Sequence, residues 1–283
     1  MPSIGLVGVE NSHAEHFIRF LNLENRHPGF RITALVGGSG DRAEALAADG
    51  DVAEIVDDID DLIGRVDAAI VCTRDGAQHR AQAEPLLAAG IPTLVDKPLA
   101  ATLDDADAIL AAARAAGVLI YSASALRFSP QVAELSQWVR SSAGLRHLQV
   151  SGPGDADSPY SGISFYGIHH VEAALQVLGD AFVTGDLRVE AFRTTGSTVA
   201  TMRLGGTIVT ATFVPPTSDG QIGFHAGAVA VDGVWHAQLE LGRDYNAPVL
   251  DRFVDALRTG RAPVDDATMR APIVVLDAIR AAL

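Results

Sequence analysis

The amino-acid sequence predicts an α/β protein in which a doubly wound parallel sheet is followed by an α+β domain with a mainly antiparallel sheet. Three observations lead there. The chain opens as strand, tight turn, helix. Runs that are apolar without alternation, at 3–9, 32–36, 67–72, 91–95 and 118–121, are separated by helical patterns. Beyond residue 127 the texture changes to short alternating or β-branched segments. Continuous apolar strands between helices belong to a parallel sheet covered on both faces, whereas alternation marks a sheet with one face on a core. A boundary near residue 121 therefore separates a domain at 1–121 from one at 122–283.

Each element has a local reason. After the first strand, Ala14, Phe17, Ile18 and Leu21 share one helix face, and Ser12 with Glu15 has the spacing of a capping box. Such a strand-turn-helix unit presents free backbone N–H groups and a helix dipole to an anion. The second strand ends in Gly37-Gly38-Ser39-Gly40, and a helix follows over 41–48. Helices are predicted at 78–89 and from Thr102 to Ala116, the latter opened by Thr102 with Asp105 and closed by Gly117. In the second part, a helix near 131–142 precedes a strand at 147–151, a loop-like stretch at 152–162 and a helix at 168–178. Strands follow at 188–193, 198–203, 207–213, 226–232 and 234–241, with Asp232-Gly233 as a hairpin turn. Leu250, Phe253 and Leu257 give the helix at 247–259 one apolar face, and 265–283 is helical.

Composition excludes several classes of function. In 283 residues the formal net charge is −14 with no basic stripe, which argues against nucleic acid. Hydrophobic residues make up 48% without a long apolar run, so neither a membrane span nor a signal peptide is expected. The one cysteine, Cys72, lies inside an apolar strand; no internal disulfide is possible, which fits a cytoplasmic location.

The residue that stands out is Lys97, the only lysine, at the end of the strand at 91–95 in the run Asp96-Lys97-Pro98. An ammonium, unlike a guanidinium, can exchange its proton when its surroundings tune it. Strand ends in doubly wound sheets are where ligands sit.

With these pieces in order the chain resembles the Gfo/Idh/MocA oxidoreductases, the glucose-fructose oxidoreductase and inositol dehydrogenase family. The resemblance rests on the strand-turn-helix opening, Asp96-Lys97-Pro98 in place of the family's Glu-Lys-Pro, and Arg127-Phe128-Ser129-Pro130 at the domain junction. Gly167-Ile168-His169 with Leu178-Gly179 and the spacing of Leu250, Phe253, Gly260 and Pro263 complete it. It implies a Rossmann domain plus an α+β domain whose open sheet joins subunits into a homodimer or homotetramer. It also implies hydride transfer between NAD or NADP and a hydroxyl of a sugar, cyclitol or small polyol. Lys97 and His169 would be the acid/base groups. Gly8, Val9, Glu10, Asn11, Ser12, Thr73, Arg74, Asp96 and Lys97 would line the cofactor. Arg127, Tyr166, His169 and His170 would face the substrate, with His170 set back by about 100° around the helix.

The chain departs from the family where the cofactor and a catalytic carboxylate should be. The Gly-x-Gly-x-x-Gly turn reads Gly8-Val9-Glu10-Asn11-Ser12-His13, so bulk and charge replace two glycines. Gly37 stands where an acid would hold the ribose, leaving Ser39 and Arg42 as candidates for a 2′-phosphate. Phe165 takes the place of the aspartate four residues before the histidine, with Tyr166 as its substitute, and Arg74 replaces a proline after Thr73. Two readings stay open: a dehydrogenase with a rebuilt turn, in which Asn11 adopts a left-handed conformation and Glu10 turns aside, or a cofactor-free lyase, isomerase or binding protein using the same lysine and histidine. Glu10, His13 and His16 also fall within seven residues, but they complete no metal signature and no metal is expected.

Overall fold

The structure, a computed structural model, describes residues 2–37, 40–179 and 187–283. The chain divides into two compact units, Met1–Ala123 with Asn246–Arg270, and Ser124–Tyr245 with Ala271–Leu283.

In the first unit the continuous apolar runs become strands of one sheet. These are β1 (Ser3–Val7), β2 (Arg31–Val36), β3 (Glu54–Val56), β4 (Ala68–Val71), β5 (Thr93–Val95) and β6 (Ile120–Tyr121). All pair in parallel, in the order β3-β2-β1-β4-β5-β6. Crossing outward from β1 in both directions makes this the doubly wound order of a Rossmann fold, whose strand ends at the reversal point form the binding edge. Ile4, Leu6, Ile32, Leu35, Ile70 and Leu94 are wholly buried, because helices cover both faces. The helices are α1 (Ser12–Ile18), continued by a π-helical turn at Arg19–Leu23, α2 (Asp41–Asp49), α3 (His79–Ala88) and α4 (Leu103–Ala116). Thr102 caps α4 as expected, its hydroxyl accepting from Asp105 N–H at 3.2 Å, and Gly117 closes it at φ 63°.

The second unit holds α5 (Pro130–Ser141), β7 (Leu145–Pro153), α6 (Ser164–Leu178), β8 (Val189–Arg193), β9 (Thr198–Leu204), β10 (Thr207–Val214), β11 (Phe224–Ala230) and β12 (Gly233–Leu239). Its sheet runs β12-β11-β7-β10-β9-β8, antiparallel except for the β7–β10 pair. Strict alternation places Leu148, Val150, Ala200, Val209, Ala211 and Phe213 on the face packed against the helices. The opposite face leaves Phe192, Ile208 and Val234 exposed.

Several boundaries differ from the sequence reading, among them those of β11 and β12, which end two residues earlier than 232 and 241. β7 extends through Gly152 to Pro153, and α6 begins at Ser164 rather than 168. The helix α7 (Ala247–Thr259), expected in the second domain, belongs to the first unit. His27 Nε2 lies 2.8 Å from Asp251 Oδ1, and Asn246 Nδ2 lies 3.2 Å from His16 Nδ1. The first turn of α8 (Asp266–Ala281) is tied to the same unit, with Arg270 bonded to Asp107 at 2.6 and 3.0 Å. Among the described residues no helix is long and apolar enough to cross a membrane.

Candidate active site

The first cluster of functional side chains gathers at the ends of β1, β4 and β5. Gly8 is retained because β4 passes close: it sits at φ +89°, and a Cβ there would lie 2.4 Å from Thr73 N. Beyond it the turn is rebuilt by side chains. Asn11, not Ser12, is the N-cap of α1; at φ −121° it is extended rather than left-handed, and its Oδ1 accepts from His13 N–H at 2.7 Å. Its amide also donates to the Cys72 carbonyl, tying the turn to β4. Ser12 becomes the exposed first residue of the helix.

Glu10 is turned toward the β4 loop. Its carboxylate accepts the Arg74 backbone N–H at 2.5 Å, while the Arg74 guanidinium returns a bond to the Glu10 carbonyl at 2.6 Å. Arg42 closes the other side, bonding the Val9 carbonyl, the Asn11 carbonyl at 3.3 Å and Glu15 at 2.8 Å. Ser39 lies outside the described residues. Two guanidinium groups thus flank a turn whose neighbour, the Thr73 hydroxyl, is buried without a hydrogen-bond partner. Cations beside a helix N-terminus and an unsatisfied buried hydroxyl suit a phosphate-bearing ligand, so the residues present fit a dinucleotide although two glycines are gone.

Asp96 and Lys97 follow β5. Asp96 N–H bonds the Val71 carbonyl at 2.8 Å, which fixes the backbone at the strand end. Asp96 is buried, with Oδ2 2.7 Å from His13 Nδ1 and 4.0 Å from Lys97 Nζ. Burial alone would raise its pKa, but the positive charges of His13 and Lys97 and the His13 hydrogen bond outweigh that. The carboxyl is held well below its usual range. His13, in the place of a glycine that packs helix against sheet, thereby supplies a partner to the motif after β5. His79, wholly buried on α3, bridges the Pro98 carbonyl at 2.8 Å and the Thr73 carbonyl at 2.9 Å. The Cys72 thiol is wholly buried, and desolvation and then the charges of Asp96 and Glu10 push its pKa well up, so it is no nucleophile.

The second cluster lies on α6. His169 is 6% exposed, with Nδ1 2.7 Å from the Ser124 hydroxyl, which also accepts Leu126 N–H at 3.3 Å. The hydroxyl can donate to a neutral ring, leaving the hydrogen on Nε2, or accept from an imidazolium; it serves both states of an acid/base group. Tyr166 is half-buried beside it, ring centroids 6.2 Å apart, and Phe224 closes the other side at 5.4 Å.

Two residues expected to face substrate are placed elsewhere. Arg127 is held by α6 itself, 3.1 Å from Glu172 Oε2 and 2.9 Å from Gln176 Oε1, and Glu172 accepts the Ser124 N–H at 2.8 Å. The guanidinium has a structural anchor because Glu172 would otherwise be an uncompensated buried charge. His170 is 1% exposed between Phe213 and Phe224, with both ring nitrogens lacking a hydrogen-bond partner. Desolvation lowers its pKa to about 4, only partly offset by the nearby backbone of Gly152, Tyr166 and Gly167. Glu10, His13 and His16, which sequence placed near one another, turn to three different partners, Arg74, Asp96 and Asn246. Among the described residues no metal-ligating group of three is formed. Ser124, Glu172 and His79 carry no sequence signal; His13 had one, the large residue in a glycine position.

Residues 3–124 match a family described as an oxidoreductase family with an NAD-binding Rossmann fold. Over 118 residues, 41% of this chain and 34% of the relative, the sequence is 33% identical to a 1,5-anhydro-D-fructose reductase of Ensifer adhaerens. Over 195 residues, 65% of this chain and 56% of the relative, it is 28% identical to an inositol 2-dehydrogenase of Cereibacter sphaeroides. The matched stretches thus span about a third to just over a half of those two proteins. Among solved structures, GenD2 from gentamicin A biosynthesis in complex with NAD has the same fold, with a TM-score of 0.84 at 18% identity over 99% of this chain and 93% of that one.

Proposed function

We propose that this chain is a member of the Gfo/Idh/MocA oxidoreductase family and an NAD- or NADP-dependent oxidoreductase acting on a hydroxyl of a sugar, cyclitol or related small polyol, the match of residues 3–124 supporting the family. The observation that carries the reading is the corner after β5. There the only lysine sits beside a buried, ionised aspartate at the binding edge of a sheet in Rossmann order. The named activities of the relatives, a reductase of an anhydro sugar and an inositol dehydrogenase, point to the same substrate class.

In this proposal Gly8, Val9, Glu10, Asn11, Ser12, Thr73 and Arg74 hold the dinucleotide, with Asp96 and Lys97 beside it. A dinucleotide held there would supply hydride transfer to or from the substrate carbon. The chain's own residues handle the proton. Lys97, steadied by Asp96, and His169, steadied by Ser124, are the acid/base groups: one takes the hydroxyl proton, and the charge of the other favours the developing alkoxide. Tyr166 stands beside His169 where it can present a hydroxyl in place of the aspartate that Phe165 has displaced.

Association into a homodimer or homotetramer through the sheet of the second unit belongs to the same proposal. Its outer face exposes Phe192 by 65%, Ile208 by 51% and Val234 by 68%, apolar surface that a second copy would cover. A cytoplasmic location, with a small-molecule substrate and no nucleic-acid partner, accords with the single buried cysteine and the net charge of −14.

Calorimetric titration with NAD, NADH, NADP and NADPH in turn tests the reading. Micromolar binding of one oxidised and reduced pair is expected. Absence of binding by all four at millimolar concentration would overturn it in favour of a cofactor-free lyase, isomerase or binding role for the same lysine and histidine.

A further inference from the structure

One carboxylate oxygen in the first unit carries two basic side chains. Asp96 Oδ2 lies 2.7 Å from Nδ1 of His13 and 4.0 Å from Nζ of Lys97. All three groups are largely withdrawn from water, with side-chain exposures of 5% for Asp96, 11% for His13 and 12% for Lys97. A single negative charge balances one of these cations fully and two of them incompletely, and in a partly desolvated corner the difference is large.

We propose that His13 is a positioning residue whose charge is coupled through Asp96 to that of Lys97, so that a proton held by one disfavours a proton on the other. The catalytic meaning of this coupling rests on the dehydrogenase reading, but the coupling itself needs no cofactor. When Lys97 takes up a hydroxyl proton from substrate, His13 releases one from its ring to water, and the corner keeps its total charge. The aspartate is the fixed member: it stays ionised throughout, and its backbone is tied to β4.

The other groups around the corner do not replace His13 in this role. His79, on α3, is hydrogen-bonded to the Pro98 and Thr73 carbonyls and not to the aspartate. The Cys72 thiol at the end of β4 stays protonated, because burial and the charges of Asp96 and Glu10 oppose its ionisation. Glu10 is engaged with the Arg74 backbone, and Arg74 with the Glu10 carbonyl. His16, one turn along α1 with its ring stacked on that of His13 at 6.3 Å, bonds Asn246 and not the aspartate.

The sequence makes the test direct. Because Lys97 is the only lysine, protein grown on ε-13C lysine gives one side-chain resonance to follow with pH. The His13 imidazole resonance is identified among nine histidines by its loss in His13→Gln. Removing the neighbouring cation in Lys97→Met should raise the His13 midpoint by about one to two pH units, since two unit charges a few ångströms either side of one carboxylate repel by that much at an effective dielectric near 20. Lys97→Arg, which keeps the charge, should leave it within a few tenths of a unit. In the wild type the Lys97 resonance should show a step at the pH where His13 titrates, and that step should vanish in His13→Gln. An unmoved His13 midpoint in Lys97→Met, or a wild-type Lys97 resonance without that step, would overturn the proposal whatever the protein catalyses. Failure of all four dinucleotides to bind would remove the dehydrogenase reading while leaving this coupling to be measured on its own.

Discussion

Replacing Arg127 by methionine separates two roles for that side chain. If the guanidinium served substrate, Arg127→Met would raise KM and leave the fold untouched. The structure instead puts it 3.1 Å from Glu172, with side-chain exposures of 11% and 5%, and doubly bonded to Gln176 on the next turn of α6. Methionine keeps most of the volume but takes the guanidinium away from the buried Glu172 carboxylate, which still accepts the Ser124 N–H. Stranding one partner of a buried pair costs about 3–5 kcal/mol, a third or more of the stability of an ordinary domain. With a urea dependence of about 2 kcal/mol per molar, the unfolding midpoint should fall by roughly 1.5–2.5 M. Tryptophan fluorescence is the right probe, because Trp138 and Trp235 both lie in the unit that holds Arg127 and Glu172. The double variant Arg127→Met with Glu172→Gln should recover most of the loss, since no charge is then stranded. An Arg127→Met midpoint within 0.5 M of wild type would refute the reasoning and return the residue to the substrate.

Other side chains of the second cluster and of the β5 corner give further outcomes. His170 stays neutral when folded and protonates in the unfolded chain near the ordinary value of 6.5, so its contribution is complete above about pH 6.5 and is lost as pH falls toward its folded value of about 4. That loss amounts to about 3 kcal/mol, and pH-dependent urea titrations should show it flattened in His170→Leu. Gly152→Ala would place a Cβ 2.5 Å from His170 Nε2 and 2.6 Å from Phe224, and should lower stability by about 1–3 kcal/mol in the same assay. Lys97→Ala should retain the wild-type circular dichroism spectrum and lose about 10²–10⁴-fold in turnover, whereas near-normal turnover would reduce the lysine to a surface cation. Ser124→Ala removes the partner of His169 Nδ1; kcat should fall about tenfold or more with little change in dinucleotide affinity, measured by steady-state kinetics and calorimetry.

How far the sequence could be read depends on how far apart the partners lie. Strands β1, β2, β4 and β5 were legible because both their faces are buried, which leaves an uninterrupted apolar run. The edge strand β3 was not, since Glu54 and Ile55 are exposed and three residues carry no period. The start of α6 was hidden by Gly167 in its first turn, so the helix read from 168 and Phe165 and Tyr166 were left outside it. The apolar face of α7 announced a helix but not which core it covers; that depended on His27 and Asp251, 224 positions apart. Lys97 and His169 were found through motif spacing. Ser124 and Glu172 were not, because a serine and a glutamate 48 positions apart acquire meaning only when α6 packs beside the turn after β6.

The rebuilt turn bears on whether the dinucleotide edge is a relic. A site released from use loses residues independently, and each replacement then finds whatever packing is nearest. Here the replacements meet one another: Glu10, in place of the second glycine, binds the backbone of Arg74, itself a departure, and Arg74 binds back. His13, in place of the third glycine, pairs with Asp96, the shorter acid of an otherwise retained motif. A glutamate at position 96 would carry one more methylene into a space 2.7 Å from the imidazole, so the short acid and the large ring suit each other. Reverting one member of either pair alone should therefore cost more than reverting both. His13→Gly leaves Asp96 without its hydrogen-bond donor and opens a void, and Asp96→Glu crowds the ring, whereas His13→Gly with Asp96→Glu gives the combination of the family that the sequence resembles. Stability measured around that double-mutant cycle should show a favourable interaction of at least about 1 kcal/mol. Strict additivity would mean the two positions drifted separately, and would remove the coupled-replacement argument for a working cofactor edge.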